Sequence, residues 1–533
     1  MMKRTWLTLT TILIGCVVIG IMTKKPATTA QKTGGDTFRM ALTSEPANLD
    51  PARGVDVNEG CVQAKLFDGL VRFDEKMKLV GDLAESWDIK DEGKTYVFHL
   101  RHGVTFHDGK PFSARDVVFS FNRLLDPAVK SPRTWVLEKV SGARERLAGT
   151  ASDVSGISAP DESTVKITLV EPFAPFISLL TMPACYVLPA DSAEMISDRS
   201  FFEKPSGTGP YTMVGRERDS FIRLAANPTY HGPKPTLETI ELRIIPENMK
   251  AEMEFETGNL DLLQLFPSNY DRLAGKSENT GRIRDVPAMN VFYLGLNNQK
   301  PPFNDIHIRK ALNMLIDREA IIKAVYKGRA SVAHGSIPPG IIGHSQTAPG
   351  FPFDPKQGSE LLKEAGFDKK HPLKFDLFQK SSQAAFEVTR LIQGEFKKYG
   401  VQVTLRPMEW SALKDAIDKG EATAFYLSWY GDYPDGENFL FPVFHSQNWG
   451  SGGNRACYKS AAVDSMIGSA LHIQDTAKRA EAYDKVNRTI VDDAPWVYLW
   501  HLNESYLLGP RVESIEMSPL FGYDKGLTVT MRK

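Results

Sequence analysis

The segment that reads SWYGDYPD brings together residue types that could hold a small molecule. It carries two carboxylates, Asp432 and Asp435, and three aromatic rings, Trp429, Tyr430 and Tyr433. Rings supply apolar contact area with few rotatable bonds, and a carboxylate accepts hydrogen bonds from cationic groups. This loop is the main candidate site, although Asp before Tyr-Pro also caps turns and rings also pack in cores.

The elements before this loop predict where it lies. An apolar helical stripe over 388–399 ends at Gly400, and residues 401–405 alternate as a strand. A second helix is predicted over 411–419, and the apolar run 425–427 follows it as another strand. Helix, strand, helix, strand is the order of an open α/β sheet, in which ligands bind beyond the carboxyl ends of the strands.

Other segments support a mixed α/β chain. Residues 95–100, 165–169 and 240–244 place apolar side chains at every second position, which predicts half-buried strands. Ser113 and Asp116 form a capping pair that predicts the start of a helix.

The motifs expected of common enzymes and metal proteins are missing from the sequence. There is no Gly-x-Ser-x-Gly, His-Glu-x-x-His, phosphate loop or dinucleotide fingerprint, and the acidic residues after Trp429 lack the order of a calcium loop. We therefore expect no enzyme, no cofactor and no bound metal, with an extracytoplasmic hydrolase assembled from distant residues as a remote alternative. A formal charge of -1 gives no general attraction for nucleic acid.

The N-terminus predicts export. Lys3 and Arg4 precede an apolar stretch over 6–22, and Cys16 within it follows Leu-Ile-Gly, as in a bacterial lipobox. Lipidation of Cys16, an uncleaved membrane anchor and cleavage at another position all remain open. Each places the body outside the cytoplasm, in the periplasm or at the outer face of the cytoplasmic membrane.

A series of longer motifs, in order along the chain, resembles the bacterial extracellular solute-binding proteins of the oligopeptide, dipeptide and nickel family (family 5), which serve ABC transporters. The longest is LAESWDIKDEGKTYVFHLRHGVTFHDGKPFSARDVVFSFN, from Leu83. SEPANLDP precedes it, and GTGPY, NPTYHGPKP, YLGLNNQKPPFNDIHIRKALNMLIDRE and WYGDYPDGENFL follow it. The resemblance covers nearly the whole chain after the N-terminal segment.

The resemblance implies an α/β fold of the periplasmic-binding-protein type II class, with two hinged α/β lobes and an extra subdomain inserted in lobe one. The expected organisation is a signal peptide or anchor over 1–25, a tether over 26–36, lobe one over 37–67, 205–288 and 499–533, its inserted subdomain over 68–204, and lobe two over 289–498.

The resemblance also implies ligand contacts. Asp432 matches an aspartate that pairs with the α-ammonium group of a bound peptide, and Trp429 and Trp410 match aromatic residues that line the peptide groove. Tyr430 and Tyr433 are their neighbours, and Asp56 and Tyr498 are expected to face the cleft from lobe one and the second chain crossing. The arginine that holds the ligand carboxylate in dipeptide-binding relatives is absent from the matching stretch 384–386, so no residue is assigned to that role.

The function implied is that of the solute-binding component of an ABC transporter. A monomer would capture a small ligand, with a peptide as the expected class, and deliver it to the permease and ATPase complex. A non-peptide solute, such as a sugar oligomer, an opine or a metal chelate, is the alternative within the same class.

Overall fold

The structure is a computed structural model of the 533-residue chain and describes residues 37–345, 347–348, 350–450, 453–520, 522 and 524–532. The signal peptide or anchor predicted over 1–25, with the candidate lipidation site Cys16, and the tether predicted over 26–36 lie outside these residues. Within the described part of the chain, no helix combines the length and the apolar character needed to cross a membrane.

The described residues form twenty strands and fifteen α-helices in mixed order. The strands are β1 (Thr37–Leu42), β2 (Val71–Phe73), β3 (Leu79–Gly81), β4 (Ala84–Lys90), β5 (Thr95–Leu100), β6 (Ile157–Asp161), β7 (Thr164–Thr168), β8 (Tyr211–Glu217), β9 (Phe221–Ala226), β10 (Thr239–Ile244), β11 (Leu262–Leu265), β12 (Ile283–Pro287), β13 (Asn290–Leu296), β14 (Ala330–Val332), β15 (Leu373–Lys380), β16 (Val401–Met408), β17 (Ala424–Tyr430), β18 (Trp496–Leu508), β19 (Val512–Ser514) and β20 (Thr530–Met531).

The helices are α1 (Val57–Leu66), α2 (Ala114–Leu124), α3 (Ala143–Leu147), α4 (Phe176–Leu179), α5 (Ala193–Ser197), α6 (Asn248–Glu256), α7 (Pro267–Ala274), α8 (Ile306–Met314), α9 (Arg318–Ile321), α10 (Pro355–Glu364), α11 (Gln383–Lys398), α12 (Trp410–Asp418), α13 (Phe441–Phe444), α14 (Ala461–Ala470) and α15 (Thr476–Asp493). The predicted strands at 95–100, 165–169 and 240–244 are confirmed as β5, β7 and β10.

The long strand β18 joins the two halves of a twelve-stranded sheet, whose main order is β16-β15-β17-β13-β18-β11-β1-β10-β9-β8. The first part of β18 pairs antiparallel with β13, and its last part pairs antiparallel with β11 and β12. The chain therefore crosses between the halves along β18 and again where β12 leads into β13.

A separate four-stranded sheet, in the order β4-β5-β7-β6, belongs to the segment between β3 and β8. Helix α2 packs on it and begins with the predicted capping pair, since the Asp116 carboxylate accepts a hydrogen bond from the Ser113 backbone N–H at 2.8 Å. The buried side chains of Phe98, Phe121 and Ile167 join this sheet and helix in one hydrophobic core. A separate core forms around Phe38 and Leu242 of the large sheet.

The predicted alternation before the candidate loop is confirmed as α11, β16, α12 and β17. Gly400 ends the first helix with a φ of +82°, a left-handed conformation that favours glycine. Strand β15 pairs parallel with both β16 and β17, so the carboxyl ends of these strands lie at one edge of the sheet. The candidate loop leaves the sheet at this edge, where ligands bind in open α/β folds.

Candidate ligand-binding cleft

A cavity of about 440 Å³ lies beside the loop that follows β17. The start of α1 contributes Asp56 to its lining, and the turn between β2 and β3 contributes Asp74 and Glu75. The loop after β17 contributes Asp432, and β18 contributes Glu504. Segments that are far apart in sequence thus form one concave site whose volume suits a small ligand.

Asp432 presents a carboxylate at the cavity wall. Its side chain is 41% exposed and forms an ion pair with Arg133, with 3.4 Å between Nη1 and Oδ1. Burial raises the pKa of Asp432, and Arg133 lowers it by a smaller amount. An incoming cation would replace water around a carboxylate that is already partly desolvated, which strengthens a charge-assisted hydrogen bond.

Hydrogen bonds fix the loop that carries Asp432. The Asn438 amide oxygen accepts from the Asp432 backbone N–H at 2.8 Å, and the Asn438 carbonyl accepts from Trp429 Nε1 at 2.8 Å. Asp435 is buried, caps the following 3₁₀ turn and pairs with Arg479 at 3.4 Å. The carboxylate of Asp432 is therefore held by a rigid support, which lowers the entropy lost when a ligand binds.

Glu437 is a buried carboxyl group in the same loop. The Tyr433 hydroxyl donates a hydrogen bond to it. Burial raises the pKa of Glu437 to about 8, with Lys139 lowering it and Asp432 raising it further. At neutral pH the group is therefore mostly protonated, and Asp432 remains the carboxylate of this loop that can pair with a ligand cation.

Three of the seven residues predicted to contact the ligand line the cavity, namely Asp56, Tyr430 and Asp432. Tyr430 is 55% exposed, with its ring edge-on to Phe292 at 6.2 Å between centroids. Asp56 caps α1 and accepts a hydrogen bond from the Asn58 backbone N–H at 2.8 Å. Its carboxylate also caps the backbone N–H of Glu59 in a capping box.

The other four residues lie outside the lining. Trp429 is half-buried against the core beneath the loop, and Tyr433 is buried with its ring 6.3 Å from that of Trp135. Trp410 begins α12 and is 41% exposed beside two lysine side chains. Tyr498 is only 2% exposed in the core around β13 and β18. The ligand contacts of these four residues stay predictions. In the structure, each of the four side chains contacts other residues of the protein outside the cavity lining.

The floor of the cavity contains a charge network that sequence patterns did not indicate. Lys525 forms ion pairs with Asp68 and Asp82, the second at 3.2 Å, and Arg72 lies 3.8 Å from Asp82. Burial lowers the pKa of Lys525, but the two carboxylates raise it by more, so the amine stays protonated. Lys525 and Asp68 are far apart in the sequence, and local sequence patterns do not predict contacts between residues so distant along the chain.

Asp68, Asp82 and His231 place possible metal-ligand atoms within 4.8 Å of one another. The ammonium group of Lys525 lies among these residues and already supplies the positive charge that the two carboxylates require. This donor set therefore suits an internal ion pair better than a divalent cation.

A second residue that the sequence analysis missed is Arg133. It lies between β5 and β6, in the segment predicted as the inserted subdomain, and it lines the same cavity as Asp432, which it contacts directly. Its guanidinium also donates to the Val55 carbonyl at 3.4 Å. No sequence motif marks Arg133, and only the folded chain brings it to the site.

Comparison with known proteins finds relatives along nearly the whole chain. The model of the family described as bacterial extracellular solute-binding proteins, family 5 Middle, matches residues 78–451. Heme-binding protein A of Haemophilus influenzae is 30% identical, covering 97% of this chain and 96% of its own. The dipeptide-binding protein of Escherichia coli is 30% identical, covering 85% of this chain and 87% of its own.

Solved structures show the same architecture. The unliganded open form of the periplasmic murein tripeptide-binding protein MppA has a TM-score of 0.83 and 25% identity, with 93% of this chain and 98% of that chain covered. HbpA2 from Haemophilus parasuis has a TM-score of 0.83 and 26% identity, with 93% and 100% covered. The predicted type II periplasmic-binding-protein fold is thereby confirmed.

Proposed function

Because this chain belongs to the bacterial extracellular solute-binding proteins of family 5, we propose that it captures a peptide in the cavity beside Asp432 and delivers it to an ABC transporter. The observation that carries the proposal is the position of Asp432, which lines that cavity and whose backbone N–H is held by the Asn438 side chain. Dipeptide-binding and di/tripeptide-binding relatives, at 28–30% identity, support a peptide as the ligand class.

The α-ammonium group of the peptide pairs with Asp432 in this proposal. Arg133 occupies part of the Asp432 carboxylate at 3.4 Å, which leaves its second oxygen and further lone pairs for the ligand. An ion pair that is buried on closure is strongly favoured over either ion left alone in the closed site. A micromolar dissociation constant, about -8 kcal/mol, is within reach of one such pair and several backbone hydrogen bonds.

Lobe closure is the second part of the proposal. The two chain crossings, along β18 and from β12 to β13, are the segments about which the predicted lobes would rotate. Ligand that contacts both lobes binds the closed state better than the open one and shifts the population toward it. The closed state then docks on the permease, with the N-terminal lipid or anchor holding a monomer near the membrane.

A porphyrin ligand, suggested by the relative named heme-binding protein A, fits the cavity less well. Heme carries anionic propionate groups, and the described lining has more carboxylates than cationic side chains. Like charges brought together on closure would oppose binding. The cavity therefore favours a ligand with positive charge.

The test compares free and N-acetylated forms of one peptide by isothermal titration calorimetry. A panel of di- and tripeptides first identifies a ligand for the unaltered protein. Asp432→Asn should then weaken binding of the free peptide about tenfold or more and change binding of its N-acetyl form less than about threefold. Asp415→Asn removes the same charge from an exposed position on α12 and serves as the matched control.

Equal weakening of both peptide forms by Asp432→Asn would contradict the ammonium role. A panel without any binding peptide would contradict the peptide assignment, and hydrolysis of a peptide during the titration would favour an enzyme.

A further inference from the structure

The described lining of the cavity carries an excess of negative charge. Its ionisable residues are the carboxylates Asp56, Asp74, Glu75, Asp82, Asp432, Glu504 and Asp524 and the cations Arg72, Arg133 and Lys525. A lining carboxylate attracts a cationic ligand most strongly where no cationic side chain of the protein neutralises it.

Most of the charge on the floor is neutralised internally. Asp68, Asp82 and Asp524 pair with Lys525, Arg72 and Lys65 there, and the Lys65–Asp524 distance is 3.1 Å. Three carboxylates thus meet three cations. Elsewhere in the lining, Asp432 pairs with Arg133.

Four lining carboxylates remain, namely Asp56, Asp74, Glu75 and Glu504. Among the ion pairs between described residues, none within 4.0 Å involves these four groups. Asp74 accepts hydrogen bonds from the backbone N–H groups of its own turn, and Glu504 accepts one from the Tyr506 hydroxyl at 2.6 Å. These neutral donors leave the negative charge in place.

The four groups come from three separate elements. Asp56 precedes α1, Asp74 and Glu75 form the β2–β3 turn, and Glu504 lies opposite Val286 in the pairing of β18 with β12. Glu504 therefore lies at a chain crossing, where the two halves of the large sheet meet. Tertiary structure, rather than a local acidic run, directs this charge into one concave site.

We infer that the cavity selects solutes with at least two cationic groups, one for Asp432 and one for the carboxylates of the β2–β3 turn and β18. Basic peptides, with lysine or arginine beside the α-ammonium group, are the expected class. A second cationic group on the ligand would neutralise these unpaired carboxylates. The negative electrostatic potential of the same carboxylates would also attract such a ligand from solution. This inference rests on the proposed function, because it concerns the ligand of the same cavity.

The experiment measures the affinities of Ala-Lys-Ala, Ala-Gln-Ala and Ala-Glu-Ala by calorimetry at about 20 mM and about 300 mM salt. At low salt the lysine peptide should bind about tenfold tighter than the glutamine peptide, and the glutamate peptide weakest. High salt should reduce the lysine advantage. The double variant Glu75→Gln/Glu504→Gln should reduce the ratio of lysine to glutamine affinity toward one.

The double variant Glu194→Gln/Glu513→Gln removes the same charge from exposed positions outside the cavity and should keep the ratio. Equal affinity for the lysine and glutamine peptides, or an equal loss of selectivity in both double variants, would overturn the inference. If no tripeptide binds, the peptide assignment fails, and spermidine then tests the charge inference by itself. Spermidine binding that Glu75→Gln/Glu504→Gln weakens at least about tenfold would support it, and absence of such binding would overturn it.

Discussion

Replacing Glu437 by glutamine tests whether the site loop contains a protonated carboxyl group. Glu437 is 4% exposed and accepts a hydrogen bond from the Tyr433 hydroxyl, which a glutamine side-chain oxygen can also accept. Burial raises its pKa from 4.5 to about 8, so the charged form is the one that the folded loop disfavours. Glutamine keeps the shape of the group and removes its ability to ionise.

The expected magnitude follows from the two pKa values. Below pH 4.5 the carboxyl group of Glu437 is protonated in both the folded and the unfolded chain, so it does not lower the free energy of unfolding. As the pH rises from 4.5 to about 8, the unfolded chain loses the proton while the folded chain retains it, so stability falls with pH. The full loss is about 5 kcal/mol above that window and about 3 kcal/mol at pH 7.

Urea unfolding at a series of pH values from about 4 to 9 provides the assay. The free energy of unfolding of Glu437→Gln minus that of the unaltered protein should increase with pH by several kcal/mol, mainly within this window. Glu360→Gln, at an exposed position on α10, serves as the control and should show no such increase. A difference for Glu437→Gln that changes by less than about 1 kcal/mol across the series would refute a buried, protonated Glu437.

Two further substitutions address the floor and the core. Lys525→Met should lower the free energy of unfolding by about 3 to 5 kcal/mol, because it leaves Asp68 and Asp82 buried without their main counter-ion. Thermal and urea unfolding measure this loss. A free energy of unfolding within about 1 kcal/mol of that of the unaltered protein would show that the ion pairs of Lys525 do not stabilise the fold. Tyr498→Phe removes a buried hydroxyl that has no hydrogen-bond partner among the described residues, so it should keep or raise stability by up to about 1 kcal/mol and leave peptide affinity unchanged. A tenfold loss of affinity in Tyr498→Phe would instead support the predicted contact of this residue with the ligand.

Local patterns in the sequence were sufficient for the elements that position the site. The stripes and alternations between residues 388 and 427 predict α11, β16, α12 and β17 in the observed order, because helical and strand periodicities report which face of each element is buried. The loop with Asp432 follows from the same reasoning, since it must leave the sheet at the carboxyl end of β17. Family motifs then indicate the type II fold over nearly the whole chain.

The direction of individual side chains was decided by tertiary packing. Asp432, Tyr430 and Tyr433 are neighbours in sequence, yet the first two line the cavity while Tyr433 turns into a core. The partners Arg133 and Lys525 come from 299 residues before Asp432 and 457 residues after Asp68. Charged residues so distant along the chain come into contact only after the sheets have assembled, and local periodicity in the sequence does not predict such contacts.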